Sequence, residues 1–222
     1  ITLRTLPVGA DWVALDKGRT RSAYITNTVG APLVPPGKYT ISMVAGDQKF
    51  SSSLNVLKDP NSDGSLADIQ AQAELLKKMQ DDYNSIADMV NQIESIRRQV
   101  YDLRDVLSSK PRHKALVKSA NQLDSVLMAV EGKMVQLKYT GTGQDDVRYP
   151  DMLAGKIGYL SNAVSIGDFP PTDSHKEVYG VLKGRLTETQ AEYNRVMTTS
   201  IPAFLKQLQD ADIRPIVVDS KK

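Results

Sequence analysis

Residues 65–109 contain neither proline nor glycine, and that run limits the possible folds more than any other feature of the chain. Leu66, Ile69, Ala73, Leu76, Tyr83, Ile86, Val90, Ile93, Val100, Leu103 and Leu107 recur there at spacings of 3, 4 and 7. This is the periodicity of an apolar stripe along one helix. Ser65 stands where an N-cap belongs, with Asp68 three residues on as a shortened capping box. At 1.5 Å per residue the helix is a rod of roughly 65 Å. Intrinsic propensity does not stabilise a rod of that length in water, so its stripe must be packed by other helices.

Those helices follow. After Pro111 the pattern restarts with Leu116, Leu123, Val126, Val130, Met134 and Leu137. The short connection implies an antiparallel helical hairpin. "TGTGQDDVRYPD" (140–151) reads as loop and "MLAGKIGYLSNAV" (152–164) as a third helix. Thr172 or Asp173 then caps a fourth carrying Val178, Leu182, Leu186, Tyr193 and Val196, with a bend expected near Pro202. "IRPIVVD" closes the chain as a strand candidate.

Upstream of the rod the period changes to two. "KYTISMVA" places Tyr39, Ile41 and Met43 on one face, and "KFSSSLNVL" returns Phe50, Leu54 and Val56 in phase after a Gly46–Asp47 turn. This predicts a β-hairpin. "ITLRTL" and "DWVAL" are further short strand candidates, and "NTVGAPLVPPG" is loop. So few strands cannot bury both faces alone. They need partner strands or a cover from the helices. The expected fold is α+β, mostly α: a small antiparallel β-unit over residues 1–60, immunoglobulin- or fibronectin-like, then a four-helix up-down bundle over 61–222 with an overlong first hairpin.

The chain has 222 residues and a formal charge of +2, with both signs interspersed. No strong field invites nucleic acid. Absence of cysteine removes disulfides, thiol nucleophiles and thiolate metal sites. No apolar run is long enough to span a bilayer. Ile1 is not an initiator methionine, and the opening lacks signal-peptide form; it reads as the start of a mature chain or of a piece of a longer one.

Candidate chemistry is sparse. "DPNSDGSLADIQ" fits part of an EF-hand loop, with Asp59, Asn61, Asp63 and Gly64 at the first, third, fifth and sixth positions. Gln70 stands where the bidentate glutamate belongs, and a strand enters where a helix should. A turn that caps the helix is the adopted reading, with calcium the alternative. Asp81–Asp82 read as a solvated helix face, since neighbours on a helix point about 100° apart. Asp145, Asp146 and Tyr149, in the 139–151 loop, would serve best in any carbohydrate-processing site. His113 and His175 are isolated, with no metal-ligand spacing. Lys110, Arg112, His113, Lys114 and Lys118 gather at the tip of the helical hairpin, as a solvated tip or an anion site. Trp12, Tyr24, Tyr39, Tyr139, Tyr149 and Tyr159 are candidate aromatics; Tyr39 and Tyr159 are expected in the core, Trp12 and Tyr149 stay open. No catalytic, cofactor or metal residue is assigned.

The stretch from Ala31 to Gln72 resembles the C-terminal segment of bacterial secreted sortilin-like (BNR-repeat) β-propeller proteins, often labelled glycosyl hydrolases. The residues that carry the likeness are Pro36, Gly37, Tyr39, Phe50, Val56, Asp59, Pro60, Asp68, Ile69, Gln70 and Gln72, and the tail from Arg148 to Leu186 and from Ile201 to Ile216 is similar as well. The propeller's Asp-box is missing here; "SDGS" at 62–65 lacks its aromatic and spacing. The resemblance therefore implies a non-catalytic accessory module of an exported protein, secreted or periplasmic. It would dock on the propeller of the same parent chain or on a protein partner, with self-association through the long hairpin also open. A glycoside hydrolase-related carbohydrate-processing or carbohydrate-binding domain is the alternative. The resemblance also implies that strands of the β-unit lie upstream.

Overall fold

The computed structural model describes residues 32–139 and 144–213, apart from the side chain of Asp146. The strand candidates "ITLRTL", "DWVAL" and most of "IRPIVVD" lie outside these residues, as do Trp12 and Tyr24.

Strands β1 (Gly37–Ala45) and β2 (Gln48–Val56) form a two-stranded antiparallel sheet with Tyr39 opposite Leu54 and Met43 opposite Phe50. A two-residue loop joins them. Gly46 has φ +60°, and Asp47 is not left-handed. Only the first central residue needs positive φ in a type II′ turn, and the sequence puts glycine there. Among the described residues the two strands pack on no helix.

Helix α1 (Leu66–Ser108) has 43 residues, about 65 Å of uninterrupted rod. Its expected cap is present. Ser65 Oγ accepts from the Asp68 backbone N–H at 3.1 Å, and the Asp68 carboxylate accepts from the Ser65 N–H at 3.0 Å. These hydrogen bonds hold the Asp68 carboxyl below its usual range. A single 3₁₀ turn, Pro111–His113, then opens α2 (Lys114–Met134). Asp145–Arg148 forms the one-turn α3, and α4 covers Leu153–Val164. Helix α5 (Asp173–Arg195), capped by Thr172, continues through a π-turn at Val196–Ser200 into α6 (Ile201–Asp210). The π-turn is the form taken by the bend expected at Pro202. Proline has no N–H to give to the carbonyl four residues back, and the ladder widens just before it, with the Ile201 N–H reaching Val196 O.

A small antiparallel β-unit followed by an up-down helical bundle is thus what the chain forms. The cross-section differs from the four helices expected. The 21 residues of α2 run antiparallel to the far half of α1, where Arg104 donates to Asn121 and Arg97 to Asp124. Helix α4 covers the near half, where Gln72 Nε2 donates to the Val164 and Gly167 carbonyls. The two short helices lie end to end as one broken column. The third column, α5 to α6, runs parallel to α1, with Tyr179 on Asp82, Gln190 on Ser85 and Tyr193 on Gln92. At each level three helices meet, so the far half of the rod is not a bare arm.

The core runs the length of α1: Met79, Ile86, Val90 and Ile93 face Leu127, Met134, Ile157, Leu186 and Leu208, all nearly or fully inaccessible. Several stripe residues are displaced from expectation. Leu66, Val126, Tyr159 and Val178 are exposed. In α2 the buried position is Leu127, one residue on from Val126, because the stripe follows Ala120, Leu123, Leu127 and Val130. Tyr159, assigned to the core by its spacing, points outward from α4 at 70% exposure.

Candidate functional site

The joint between sheet and bundle is a wound turn. Asp59 Oδ1 accepts from the Asn61 N–H at 2.8 Å and Asp59 O from the Ser62 N–H at 3.2 Å. Lys58 Nζ reaches the Ser62 carbonyl. The carboxylate of Asp59 is thereby committed to an Asx turn, while Asn61 and Asp63 point to solvent. Gly64 is buried, and a Cβ there would lie 1.8 Å from Asp168 O. Glycine is required because the α4–α5 loop crosses its Cα. This contact, with the Gln72 amide hydrogen bonds, fixes the chain entry to α1 against the exit of α4.

Above the joint lies a cleft of about 680 Å³. Leu33, Val34, Val56 and Leu57 form its sheet side, and Ile69, Leu76, Ser161 and Asn162 its helical side. Its polar groups are two amides (Gln72 and Asn162), two hydroxyls (Ser161 and Ser165), the Lys58 amine and the carboxylates of Asp59 and Asp168. That lining suits shape-matching of an apolar group. A smaller cavity of about 260 Å³ sits where α2, α4 and α5 meet, beneath a Lys133–Glu192 ion pair at 2.6 Å.

The carboxylates do not distribute as the sequence suggests. Asp81 is exposed, paired with Lys77 along the helix. Asp82, expected on a solvated face, is buried. It accepts from Tyr179 Oη at 2.8 Å and from Lys183 Nζ, which ties α1 to α5. Burial, then the hydrogen bond and charge of Asp82, push the Tyr179 hydroxyl well above its ordinary value. Burial alone lifts Tyr83 to about 12.

A second group of charges lies deeper. Arg97 of α1 donates from Nε to Asp124 and from Nη1 to Glu131 of α2, each at 2.7 Å. Glu131 has no accessible surface. Glu94 of α1 lies beside it. Burial raises the Glu131 carboxyl above its usual range, with Arg97 only partly offsetting it. For Arg97, burial is the largest single influence and acts downward, yet Glu131 and Asp124 together hold it above its ordinary value. Arg97 and Glu131 lie between the helices, with Asp124 partly exposed at the edge. The group acts as a polar rivet between α1 and α2. Spacing contains part of its trace: the stripe skips from Ile93 to Val100, and Arg97 occupies the vacant seam position, whereas Val130 leaves no such gap at Glu131.

At the far end, His113 is largely buried and accepts from Arg112 Nε at 3.0 Å, where an exposed residue was expected. Burial first, then Arg112 and Lys110, lower its pKa. Lys110, Arg112, Lys114 and Lys118 are exposed. Between the tip and the end of α6 runs a groove of about 600 Å³, walled by Leu103, Val106, Leu107, Lys110 and Arg112 on one side and Ala211, Asp212 and Ile213 on the other. Val106 on its wall is 63% exposed. His175 caps rather than ligates: its Nδ1 accepts from the Thr172 N–H at 3.3 Å.

Around the 139–151 loop, Tyr139 is buried and donates to Asp151 Oδ1 at 2.8 Å. The Asp151 carboxylate lies over the first turn of α4, where a Cβ on Gly155 would come within 2.4 Å of it. Asp145 is buried at the start of α3 and Tyr149 is half-buried; the side chain of Asp146 lies outside the described residues. Tyr39 donates to Pro35 O at 2.6 Å, bracing the entry to β1. Among the described residues no three histidine or acidic side chains gather as a metal cluster, and no helix is long and apolar enough to cross a membrane. Compared with protein-family models, curated proteins and solved structures, the chain finds no match.

Proposed function

We propose that this chain is a non-catalytic interaction module of an exported protein, a rigid helical rod that meets a protein partner at its far tip. The observation that carries the reading is the groove beside Val106. It pairs an apolar floor of Leu103, Val106 and Leu107 with a charged rim of Lys110, Arg112 and Asp212. An apolar centre inside a polar rim is the anatomy of a protein interface. The burial of Glu94, Glu131, Arg97 and Asp82 in helix-to-helix contacts supports it too, since the bundle's interior charges are engaged in holding helices together. The likeness of Pro36–Gln72 to the tail of sortilin-like propeller proteins makes a propeller of the same parent chain the first partner to try, and a secreted or periplasmic setting the one to expect.

The test is binding of the purified chain to a separately expressed β-propeller of the sortilin-like type. Val106→Asp should abolish the interaction, and Val181→Asp, on the outer surface of α5, should leave it intact. Equal loss from both, or none from either, removes the tip as the contact. Glycoside turnover by the chain alone that disappears with Asp145→Asn would overturn the non-catalytic reading.

A further inference from the structure

The hairpin is amphipathic in the manner of a sheet with a buried face. Tyr39, Ile41 and Met43 stand opposite Leu54, Ser52 and Phe50 on one side, and Thr40, Ser42, Ser51 and Ser53 occupy the other. Yet Ile41, Met43, Phe50 and Leu54 are 45–55% exposed, and no described helix packs against either strand. Two strands with one open apolar face are marginal in water, and their outer edges offer unpaired backbone groups among the described residues.

We propose that residues 1–31 of this same chain form the missing layer, laying Trp12 and its apolar neighbours across Tyr39, Ile41, Met43, Phe50 and Leu54. Three observations favour this occupant. The segment ends at residue 31, five residues before Pro36 leads into β1, so the covalent link holds it at high effective concentration beside the face. Its composition fits: "ITLRTL" alternates and "DWVAL" carries the chain's single tryptophan, with breakers at 27–32 to turn the chain back. A six-residue strand spans about 20 Å, within the length of the nine-residue β1. The face is also small for a free partner. Five side chains about half open leave roughly 400–500 Å² of apolar surface, below the ~800 Å² per side of a stable interface between separate molecules. A tethered segment avoids most of the association entropy that a second molecule would lose.

Because Trp12 is the only tryptophan, intrinsic fluorescence of the full chain reports where the segment sits. The expected result is blue-shifted emission, weak acrylamide quenching and no change on dilution. Met43→Asp with Phe50→Asp should shift emission to that of exposed indole and raise quenching several-fold, with helical circular dichroism retained. Water-like emission in the unmodified chain overturns the proposal. A blue shift indifferent to the hairpin substitutions overturns it as well, because the segment then lies elsewhere. A blue shift lost on dilution, alongside a fall in sedimenting mass, assigns the face to a second copy. If the double variant loses helicity, hydrogen exchange of the unmodified chain decides: outward-facing β1 and β2 amides that exchange at the unprotected rate overturn the pairing, and slow exchange supports it. None of these outcomes bears on the tip at Val106, which lies at the opposite end of the rod.

Discussion

The Arg97 cluster and the β-hairpin break the same rule in opposite directions. In the bundle, Arg97, Glu94 and Glu131 occupy positions where aliphatic side chains would pack. On the hairpin, Ile41, Met43 and Phe50 stand where serines would be at ease. The first exception is answered within the described fold, because Arg97 meets the carboxylates of Asp124 and Glu131. The second is not, because no described element covers the apolar face. A buried polar group without partners costs a few kcal/mol, whereas an uncovered apolar face costs little until something arrives to bury it. Internal charge clusters must therefore be complete in the chain that carries them. Apolar faces can wait for another segment.

The most forceful way to break this comparison is Arg97→Met. It removes the cation that pairs with both Asp124 and Glu131 among the described residues. Breaking one partner of a buried ion pair costs about 3–5 kcal/mol, read as a drop in the urea midpoint at unchanged slope. Lys77→Ala, in an exposed pair of similar chemistry, should stay below about 0.5 kcal/mol. Near-equal losses would mean that the buried cluster is not what fastens α2 to α1.

That contrast also marks how far the sequence could be read. The rod, its cap at Ser65–Asp68, the hairpin turn at Gly46 and the helix starting at Thr172 are all local. Periodicity and capping chemistry extend over three to seven residues, and these were legible. The end-to-end stacking of α2 and α4 was not, because the pattern of each helix states that a face is buried and not against what. Asp82 shows the same limit: beside Asp81 it looks solvated, and only the arrival of Tyr179 and Lys183, about a hundred residues on, buries it. The gap at Arg97 was visible as an interruption of the seam, but its pairing with Glu131 across helices depends on register. The site was the least legible part. The groove at the tip joins residues 103–113 to 211–213, and no spacing within one helix announces such a meeting.

Gly64→Ala sharpens the comparison at the joint. A methyl at that position would overlap Asp168 O at 1.8 Å, so the α4–α5 loop must move. Overpacking of this kind costs about 1–3 kcal/mol. At about 2–4 °C per kcal/mol for a chain of this size, the melting temperature should fall by several degrees. An unchanged melt would show that the loop yields freely and that sheet and bundle are loosely joined.

The raised carboxyl of Glu131 gives a pH test. Glu131 has a folded pKa above its ordinary carboxylate value, with burial the leading cause. Its contribution is therefore complete below about pH 4.5, the range of an unfolded carboxyl. It is lost as pH rises from there through the raised folded value, because the unfolded chain releases its proton first. Glu131→Gln keeps the shape and removes the titration. Plotted as the difference in unfolding free energy between the two proteins, the variant should gain on the unmodified chain as pH increases across that window, and the difference should then level. A difference independent of pH would mean that Glu131 is ionised throughout and paired fully with Arg97.

The smallest effect comes from the surface that neither region uses. Gly180 and Gly184 sit in the middle of α5, one turn apart, and a Cβ at either meets nothing within 4 Å. Glycine in a helix interior costs about 1 kcal/mol relative to alanine, chiefly through the freedom of the unfolded chain. Since packing within the described fold gives these glycines no purpose, Gly180→Ala should stabilise the chain by about 0.5–1 kcal/mol, raising the urea midpoint without altering the slope. The sign is informative. A gain would place the outer surface of α5 with solvated helix, in line with Val181→Asp leaving partner binding intact. A loss would mean that some segment approaches the α5 backbone too closely for a methyl group. In that event α5, and not the hairpin, would be the surface that waits for a cover.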